Sequence, residues 1–281
     1  MQAIDAGQMV SQWATEKYFY VSPPYSGPIW YVSTTGSDSY NGSVTYPFRT
    51  ITKAISRAAA GDTIYIAAGT YSETITIDKD NITIIGADSA TTIIDPPGDS
   101  TNTSLYGIYA DAKTNLYISN LRVTDCYYGI YFSNVDTSVI NNVWVEWCGK
   151  TGGSGAGITL INGSDSNIIQ NCYVYKNIYG LFINNNSNKN TITNNLSSNN
   201  KYGFYFETAD SNYIKNNTIS NNEFGLYLYS SFSNNVISNK SINNDSGFYI
   251  DSSGTNYITN NTILNNKEGI IDKSSYNNYI V

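Results

Sequence analysis

Between residues 203 and 250 the chain reads GFYFETADSNYIKNNTISNNEFGLYLYSSFSNNVISNKSINNDSGFYI. Three times in this stretch a glycine opens an in-out-in alternation: Gly203-Phe-Tyr-Phe, Gly225-Leu-Tyr-Leu and Gly247-Phe-Tyr-Ile. Working outward, the same element stands at Gly107, Gly129, Gly157 and Gly180 before it and at Gly269 after it. The spacings are 22, 28, 23, 23, 22, 22 and 22 residues. Eight copies at a nearly fixed period mark a repeat architecture.

Two further series keep the same step. An isoleucine series runs Ile118, Ile140, Ile169, Ile192, Ile214, Ile237, Ile258 and Ile280. A valine series runs Val123, Val145, Val174, Leu196, Ile219, Ile242 and Ile263. Each period therefore carries three very short strands, apolar at every second position and separated by Asn/Ser/Gly corners. Runs this short and rich in β-branched and aromatic residues exclude helices of ten or more residues. One coil cannot bury its inward face alone, so coils must stack. The pattern predicts an all-β fold, a single-stranded parallel β-helix, right-handed by the crossover rule. About eight coils at ~4.8 Å each make the repeat part roughly 38 Å long.

Asparagine follows the same period. Of 38 asparagines only Asn41 and Asn81 precede residue 101. Asn120, Asn142, Asn171, Asn216, Asn239 and Asn260 lie three before the valine series, interrupted by Thr193. Asn167, Asn190, Asn212, Asn235, Asn256 and Asn278 lie two before the isoleucine series. Stacked Asn side chains can bond to one another and to corner backbone, and Asn tolerates the left-handed conformation of corners. These are predicted structural ladders.

The N-terminal third differs. Thr50-Ile-Thr-Lys-Ala-Ile-Ser-Arg-Ala-Ala-Ala places apolar residues at 51, 54, 55 and 58, one helical face, and Gly61 stops it. A capping helix near 50–60 is expected, with the solenoid starting at about residue 62. Gly36-Ser-Asp-x-x-Asn-Gly, Pro47-Phe-Arg-Thr-Ile, Gly61-Asp-Thr-Ile and Gly69-Thr-Tyr-x-Glu resemble the opening segment of right-handed parallel β-helices of the pectate-lyase-like superfamily. The following coils resemble Asn-rich repeats of surface carbohydrate proteins, viral tailspikes and a periplasmic copper-processing family. The resemblance covers about residues 29–281. It implies the fold; this scaffold hosts lyases, hydrolases and non-enzymes alike. The expected organisation is an arm or attachment segment at 1–28, the opening segment, capping helix and first coils at 29–100, and the repeat β-helix at 101–281.

Composition removes several classes. The chain has no histidine, which excludes His-based acid/base work, His metal ligands and Ser/His or Cys/His nucleophile pairs. Lys plus Arg number 15 against 22 Asp plus Glu, a net charge of −7, with no electrostatic footprint for nucleic acid. No apolar run is long enough to span a membrane, and the N-terminus lacks the form of a secretory signal. No cofactor is expected, and no spacing fits zinc or calcium. The chain ends inside a coil, and a covering partner or further domain is expected at that edge.

Three sets of residues are candidates for function. Superfamily enzymes work in a groove along one sheet with clustered acids, so the resemblance points to Arg122, Asp125 and Glu146 if the protein is an enzyme. Trp144, Trp147 and Tyr173 lie beside them, next to the loop 148–157 that lengthens one coil. A tolerated insertion, a glycan-binding groove and a catalytic site all stay open for that loop. Asp111, Glu207 and Asp251 form a second acidic stripe; the last two lie two coils apart, about 9.5 Å, with Tyr229 between them.

The strongest surface signal is an outward row two past each glycine, holding Tyr109, Tyr131, Tyr205, Tyr227 and Tyr249. Tyr117, Tyr213, Tyr257 and Tyr279 make another. The row at 122, 144, 173, 195, 218, 241 and 262 is not aromatic throughout and turns polar toward the C-terminus. Strand propensity and a contact surface both explain tyrosines on a pleated face. Cys126 and Cys148, 22 apart, should stack in adjacent coils within reach of a disulfide; Cys172 should be a buried thiol.

The expected function is an extracellular, cell-surface or virion-surface β-helix for glycan or receptor binding or structural display. The resemblance to tailspikes implies a homo-oligomer, a trimer by that analogy. The alternative is a polysaccharide lyase or glycoside hydrolase.

Overall fold

A coil of three alternating strands buries its apolar face only against the coils above and below it. The computed structural model, which describes residues 24–98, 101–149, 153 and 155–281, realises that stacking as three parallel sheets. An isoleucine sheet of 11 strands runs from Ile29–Val32 to Tyr279–Ile280. A valine sheet of nine runs from Gly69–Tyr71 to Thr262–Leu264, and a glycine sheet of nine from Ile75–Ile77 to Glu268–Lys273. The expected arm falls mostly on residues 1–23, which lie outside the described residues.

The repeat glycines superpose from coil to coil, as their register pairs show. Space demands them: a Cβ on Gly129 would stand 2.4 Å from the Gly157 carbonyl oxygen and 2.2 Å from Val145 Cγ1. Inside, Phe204, Phe206, Leu226, Leu228, Phe248 and Ile250 are fully buried or nearly so.

The capping helix spans Ile51–Arg57 and buries Ile51, Ala54 and Ile55. Thr50 caps it by accepting from the Lys53 N–H, and the Glu73 carboxylate accepts from the N–H groups of Ile51 and Thr52. The solenoid starts earlier than residue 62. Ile29–Val32 pairs in parallel with Thr63–Ile66, and Trp30 and Val32 point into the core. The helix is thus spliced between the first two strands of the isoleucine sheet.

The register corrects three positions in the apolar series and, with them, three in the asparagine series. Val236, not Ile237, stacks between Ile214 and Ile258, so Asn234 rather than Asn235 joins that asparagine file. In the valine sheet the inward residues are Ser197 and Ser241; Leu196 and Ile242 face outward. An apolar period selects the larger neighbour. The chain instead buries a small hydroxyl, because Ser197 donates to the Gly203 carbonyl and Ser241 to that of Gly247, each at 3.0 Å. The corner file three before the valine sheet is accordingly Asn120, Asn142, Asn171, Asn194, Asn216, Ser238 and Asn260, all with φ near +55°. Asn194 fills the gap assigned to Thr193, and Asn239 belongs to a different, buried file.

Three buried files run up the inner corners. Before the isoleucine strands the file reads Leu116, Ser138, Asn167, Asn190, Asn212, Asn234 and Asn256; before the valine strands, Leu121, Val143, Cys172, Asn195, Asn217 and Asn239. The third, before the glycine strands, reads Cys126, Cys148, Asn177, Asn200, Asn222 and Asn244. Each buried amide closes its own hydrogen bonds. Asn217 Oδ1 accepts from the Asn195 N–H at 2.9 Å, and its Nδ2 donates to the Ile192 carbonyl at 2.9 Å. All three files change from apolar, thiol or hydroxyl side chains to asparagine between residues 138 and 195.

Candidate functional site

The aromatic surface follows from two facts about a parallel coil. Outward residues stand over identical positions one coil away, and tyrosine fits a half-exposed pleated face. The register confirms the expected file on the glycine sheet: Tyr109, Tyr131, Thr159, Phe182, Tyr205, Tyr227 and Tyr249 are neighbours in successive coils. A second file beside it was missed by the sequence reading: Tyr106, Tyr128, Ala156, Tyr179, Tyr202 and Phe224. The signal was available, one residue before each repeat glycine.

The rings of the two files pack on each other. Tyr179 and Tyr202 stack at 4.9 Å with 13° between planes, Tyr202 and Phe224 at 5.0 Å with 10°, and Phe182 and Tyr205 at 5.6 Å with 11°. Across the files Tyr202 and Tyr205 lie 5.2 Å apart. Toward the C-terminal end the geometry changes: Tyr205 and Tyr227 are tilted by 57°, and Tyr227 and Tyr249 meet edge to face at 69°. Burial pushes the Tyr128 and Tyr227 phenols up to about 12 and raises Tyr205 as well, with neighbouring acids or tyrosines adding to the effect. These hydroxyls therefore stay neutral donors and acceptors across the ordinary pH range.

Between the ringed coils, one carries no ring in either file. Ala156 and Thr159 stand where the neighbours have aromatics; both are fully buried, and the Thr159 hydroxyl has no hydrogen-bond partner. That coil follows the loop 148–157, of which residues 150–152 and 154 lie outside the described residues. The outward row Tyr117, Tyr213, Tyr257 and Tyr279 shares one column of the isoleucine sheet, but Val139, Ile168, Thr191 and Asn235 interrupt it.

The acid and tryptophan cluster lies on the outer face of the valine sheet. Its column reads Arg122, Trp144, Tyr173, Leu196, Thr218, Lys240 and Thr262, which replaces Asn195 and Ser241 of the sequence reading with Leu196 and Lys240. The face does not become polar throughout, since Ile242 and Leu264 sit in the adjoining outward column. Arg122 forms an ion pair with Glu146, whose side chain is buried. The guanidinium also lies 4.5 Å from the Trp144 ring centroid, and Trp144 meets Tyr173 at 5.3 Å. Arg122 Nε and Trp144 Nε1 are buried N–H donors without an acceptor.

Asp125 lies at a corner with φ 51°, and its charge helps burial to raise the Asp95 carboxyl. Trp147 occupies a like corner under the Lys176 ammonium, 4.1 Å from its ring. The structure thus brings Arg122, Glu146, Trp144 and Tyr173 together on one face and places Asp125 and Trp147, which the sequence reading grouped with them, at neighbouring corners. Glu207 and Asp251 lie two coils apart with Tyr229 between them, as the spacing implied, and burial raises the Glu207 carboxyl.

Two recesses of about 310 and 590 Å³ open at the N-terminal end, the larger lined by Tyr31, Tyr40, Tyr46 and Tyr65 among others. The smaller is lined by Arg49, Thr50, Thr70, Tyr71 and Glu73 of the opening-segment motifs, and neither contains a candidate site residue of the coils. Among the described residues no three His, Cys, Asp or Glu side chains converge to hold a metal ion. No described helix is long and apolar enough to cross a membrane.

Comparison with known proteins gives two family matches. The model described as the Pel9A-like right-handed β-helix region matches residues 30–181, and that of the periplasmic copper-binding protein NosD matches residues 148–281. The second region has no histidine and no methionine, and its two cysteines, Cys148 and Cys172, are buried. Those residues do not fit a copper site.

Uncharacterized protein YwoF of Bacillus subtilis (strain 168) is 48% identical over 52 residues, 18% of this chain and 11% of that protein. The chain therefore spans a small part of that relative's length. Among solved structures, XylC in complex with xylose superposes with a TM-score of 0.69 at 13% identity, over 89% of this chain and 69% of that one. Pectate lyase Pel9A gives 0.65 at 17%, over 90% and 79%, and the ORF18 protein of Geobacillus virus E2 gives 0.54 at 15%, over 80% and 55%. At these identities the likeness is one of fold.

Proposed function

The chain belongs to the Pel9A-like right-handed β-helix family, and on that premise we propose that it is an exported or surface-displayed β-helix that binds a polysaccharide without cleaving it. The observation that carries the proposal is the double aromatic file on the glycine sheet. It spans most coils, and its rings pack on one another, stacked at Tyr179, Tyr202 and Phe224 and tilted or edge-to-face at Tyr205, Tyr227 and Tyr249, which leaves a continuous half-exposed aromatic strip. A polymer laid along the solenoid axis would meet one rung per coil, ~4.8 Å apart, and many weak contacts in register add up. The structural neighbours support a carbohydrate setting: one is a complex with xylose and another a pectate lyase.

Catalysis is less well supported than binding. The Glu146 carboxylate is occupied by Arg122, and Glu207 and Asp251 are separated by a whole coil. A second copy of the chain on the same face, as in a tailspike-like trimer, is the competing occupant.

The test is affinity electrophoresis through a panel of soluble polysaccharides, with the running buffer assayed for reducing ends and unsaturated products and the mass in solution measured by light scattering. Wild type should be retarded by at least one polymer and release no product. Replacing Tyr205, Tyr227 and Tyr249 together with Ser should abolish the retardation without unfolding. Product release that Glu146→Ala or Asp125→Ala removes would establish the enzyme instead. Loss of an oligomer in the Ser variant would assign the face to assembly.

A further inference from the structure

The third buried file begins with two cysteines where every later rung is asparagine. Cys148 donates its backbone N–H to Asn177 Oδ1 at 2.9 Å, the same bond that Asn177 makes to Asn200 and Asn200 to Asn222. Below Cys148 that chemistry stops. A thiol cannot bridge coils as an amide does, and Cys126 and Cys148 place two of them on adjacent rungs.

We propose that Cys126 and Cys148 form an intrachain disulfide that staples their two coils together at the base of the loop 148–157. Their strands are in direct register, with Arg122 beside Trp144 and Thr124 beside Glu146, and the Gly149 N–H donates to the Cys126 carbonyl at 3.0 Å. Residues stacked in this way have Cα atoms about 5 Å apart, inside the window a disulfide spans. The two side chains point at each other: the sulfurs are in contact at 3.0 Å and both residues are fully buried. Cys172 faces elsewhere, with Sγ toward the carbonyls of Gln170 and Ile140.

The bond forms by loss of one proton and one electron from each thiol. A low-molecular-weight disulfide such as oxidised glutathione takes up both and is reduced to two thiols. Burial raises the Cys126 thiol well above its ordinary range, so the folded reduced pair reacts slowly. The exchange therefore belongs to folding, before the coils above and below have closed. Exported surface proteins meet such oxidants as they fold. This inference does not depend on polysaccharide binding.

The test is to refold the whole chain in a glutathione redox buffer, denature it with iodoacetamide and no reductant, and count labels by mass spectrometry. One label, on Cys172, with a Cys126–Cys148 linked peptide from monomeric protein is the expected result. Three labels, or a link that includes Cys172, would overturn the proposal. A second readout avoids any folding defect of a variant. Oxidised wild type should melt about 6 °C above the same protein reduced, from the loop-closure entropy of a cross-link over this length; equal melting temperatures would contradict the staple.

Discussion

The coils before residue 150 and those after 160 build the same cross-section from different chemistry. In the first group the inner corners are closed by Leu116, Leu121 and Val143, and stability there is burial of apolar area. In the second group the same positions hold Asn190, Asn195 and Asn212, and the corners are closed by amides that bond upward and downward. The outer aromatic files do not respect this boundary. Tyr106, Tyr109, Tyr128 and Tyr131 lie on one side of it, and Tyr179, Phe182, Tyr202 and Tyr205 on the other. The files thus persist while the corner chemistry beside them changes kind, over inward residues that are apolar in both groups. That persistence is what the polysaccharide-binding proposal draws on.

The comparison can be broken most severely at a position both halves share. Gly129→Ala puts a methyl group into the Gly157 carbonyl, and no rotamer relieves a clash with backbone. Its expected cost is about 4 kcal/mol or more; a denaturation midpoint within error of wild type would show that the coils can separate there.

Exchanging the two corner chemistries comes next. Asn217→Leu removes the acceptor for the Asn195 N–H and side-chain amide and the donors to Ile192 and Asn239. About 3 kcal/mol should be lost through the stranded buried partners. The reverse change, Leu121→Asn, should cost about as much, because the opposite N–H, that of Thr92, already donates to Asp88. If urea titration finds either change neutral, the two halves are not chemically distinct.

Alkaline pH probes what the halves have in common. Tyr128 and Tyr227 lie on opposite sides of the boundary, and both are pushed up to about 12 by burial. A folded pKa above the unfolded one, about 10, means that this contribution is complete below pH 10 and is lost as pH rises from 10 to 12. Stability followed by circular dichroism should be level up to pH 10 in this respect and fall beyond it. A decline that instead begins near pH 7 would point to other groups.

The smallest effect is expected at the boundary itself. Cys172→Asn would extend the buried amide file by one rung, since its N–H already donates to Asn195 and the Ile140 carbonyl lies within reach of the side chain. The expected change is under about 1 kcal/mol, in either direction. A loss of several kcal/mol would mean that the file cannot grow toward the N-terminus.

The fold was legible because period and alternation are properties of the sequence, and stacking makes the register repeat. What was misread has a common cause. Leu196, Ile237 and Ile242 were chosen as inward because they are apolar, while Ser197, Val236 and Ser241 occupy those positions. Hydropathy does not report a hydroxyl whose hydrogen bond to a glycine carbonyl makes it a good core residue. The third asparagine file escaped notice because Asn177, Asn200 and Asn222 lie in the corners, two residues before the outward Tyr179, Tyr202 and Phe224, rather than within a hydrophobic run.

At the surface, the sequence located the tyrosine file but not the orientation of its rings. That depends on contacts between coils. It also brought Arg122 near Glu146 without revealing that the two neutralise one another.

The account rests on the double aromatic file being the surface at which a polysaccharide is held. Hydroxyl-radical footprinting read by mass spectrometry tests this directly, comparing the free protein with the protein on whichever polymer retards it. Oxidation should fall at Tyr109, Tyr131, Tyr205, Tyr227 and Tyr249 and stay unchanged at Tyr117, Tyr213, Tyr257 and Tyr279 on the isoleucine sheet. Equal protection of both sets, or protection confined to Trp144 and Tyr173 on the valine sheet, would contradict it.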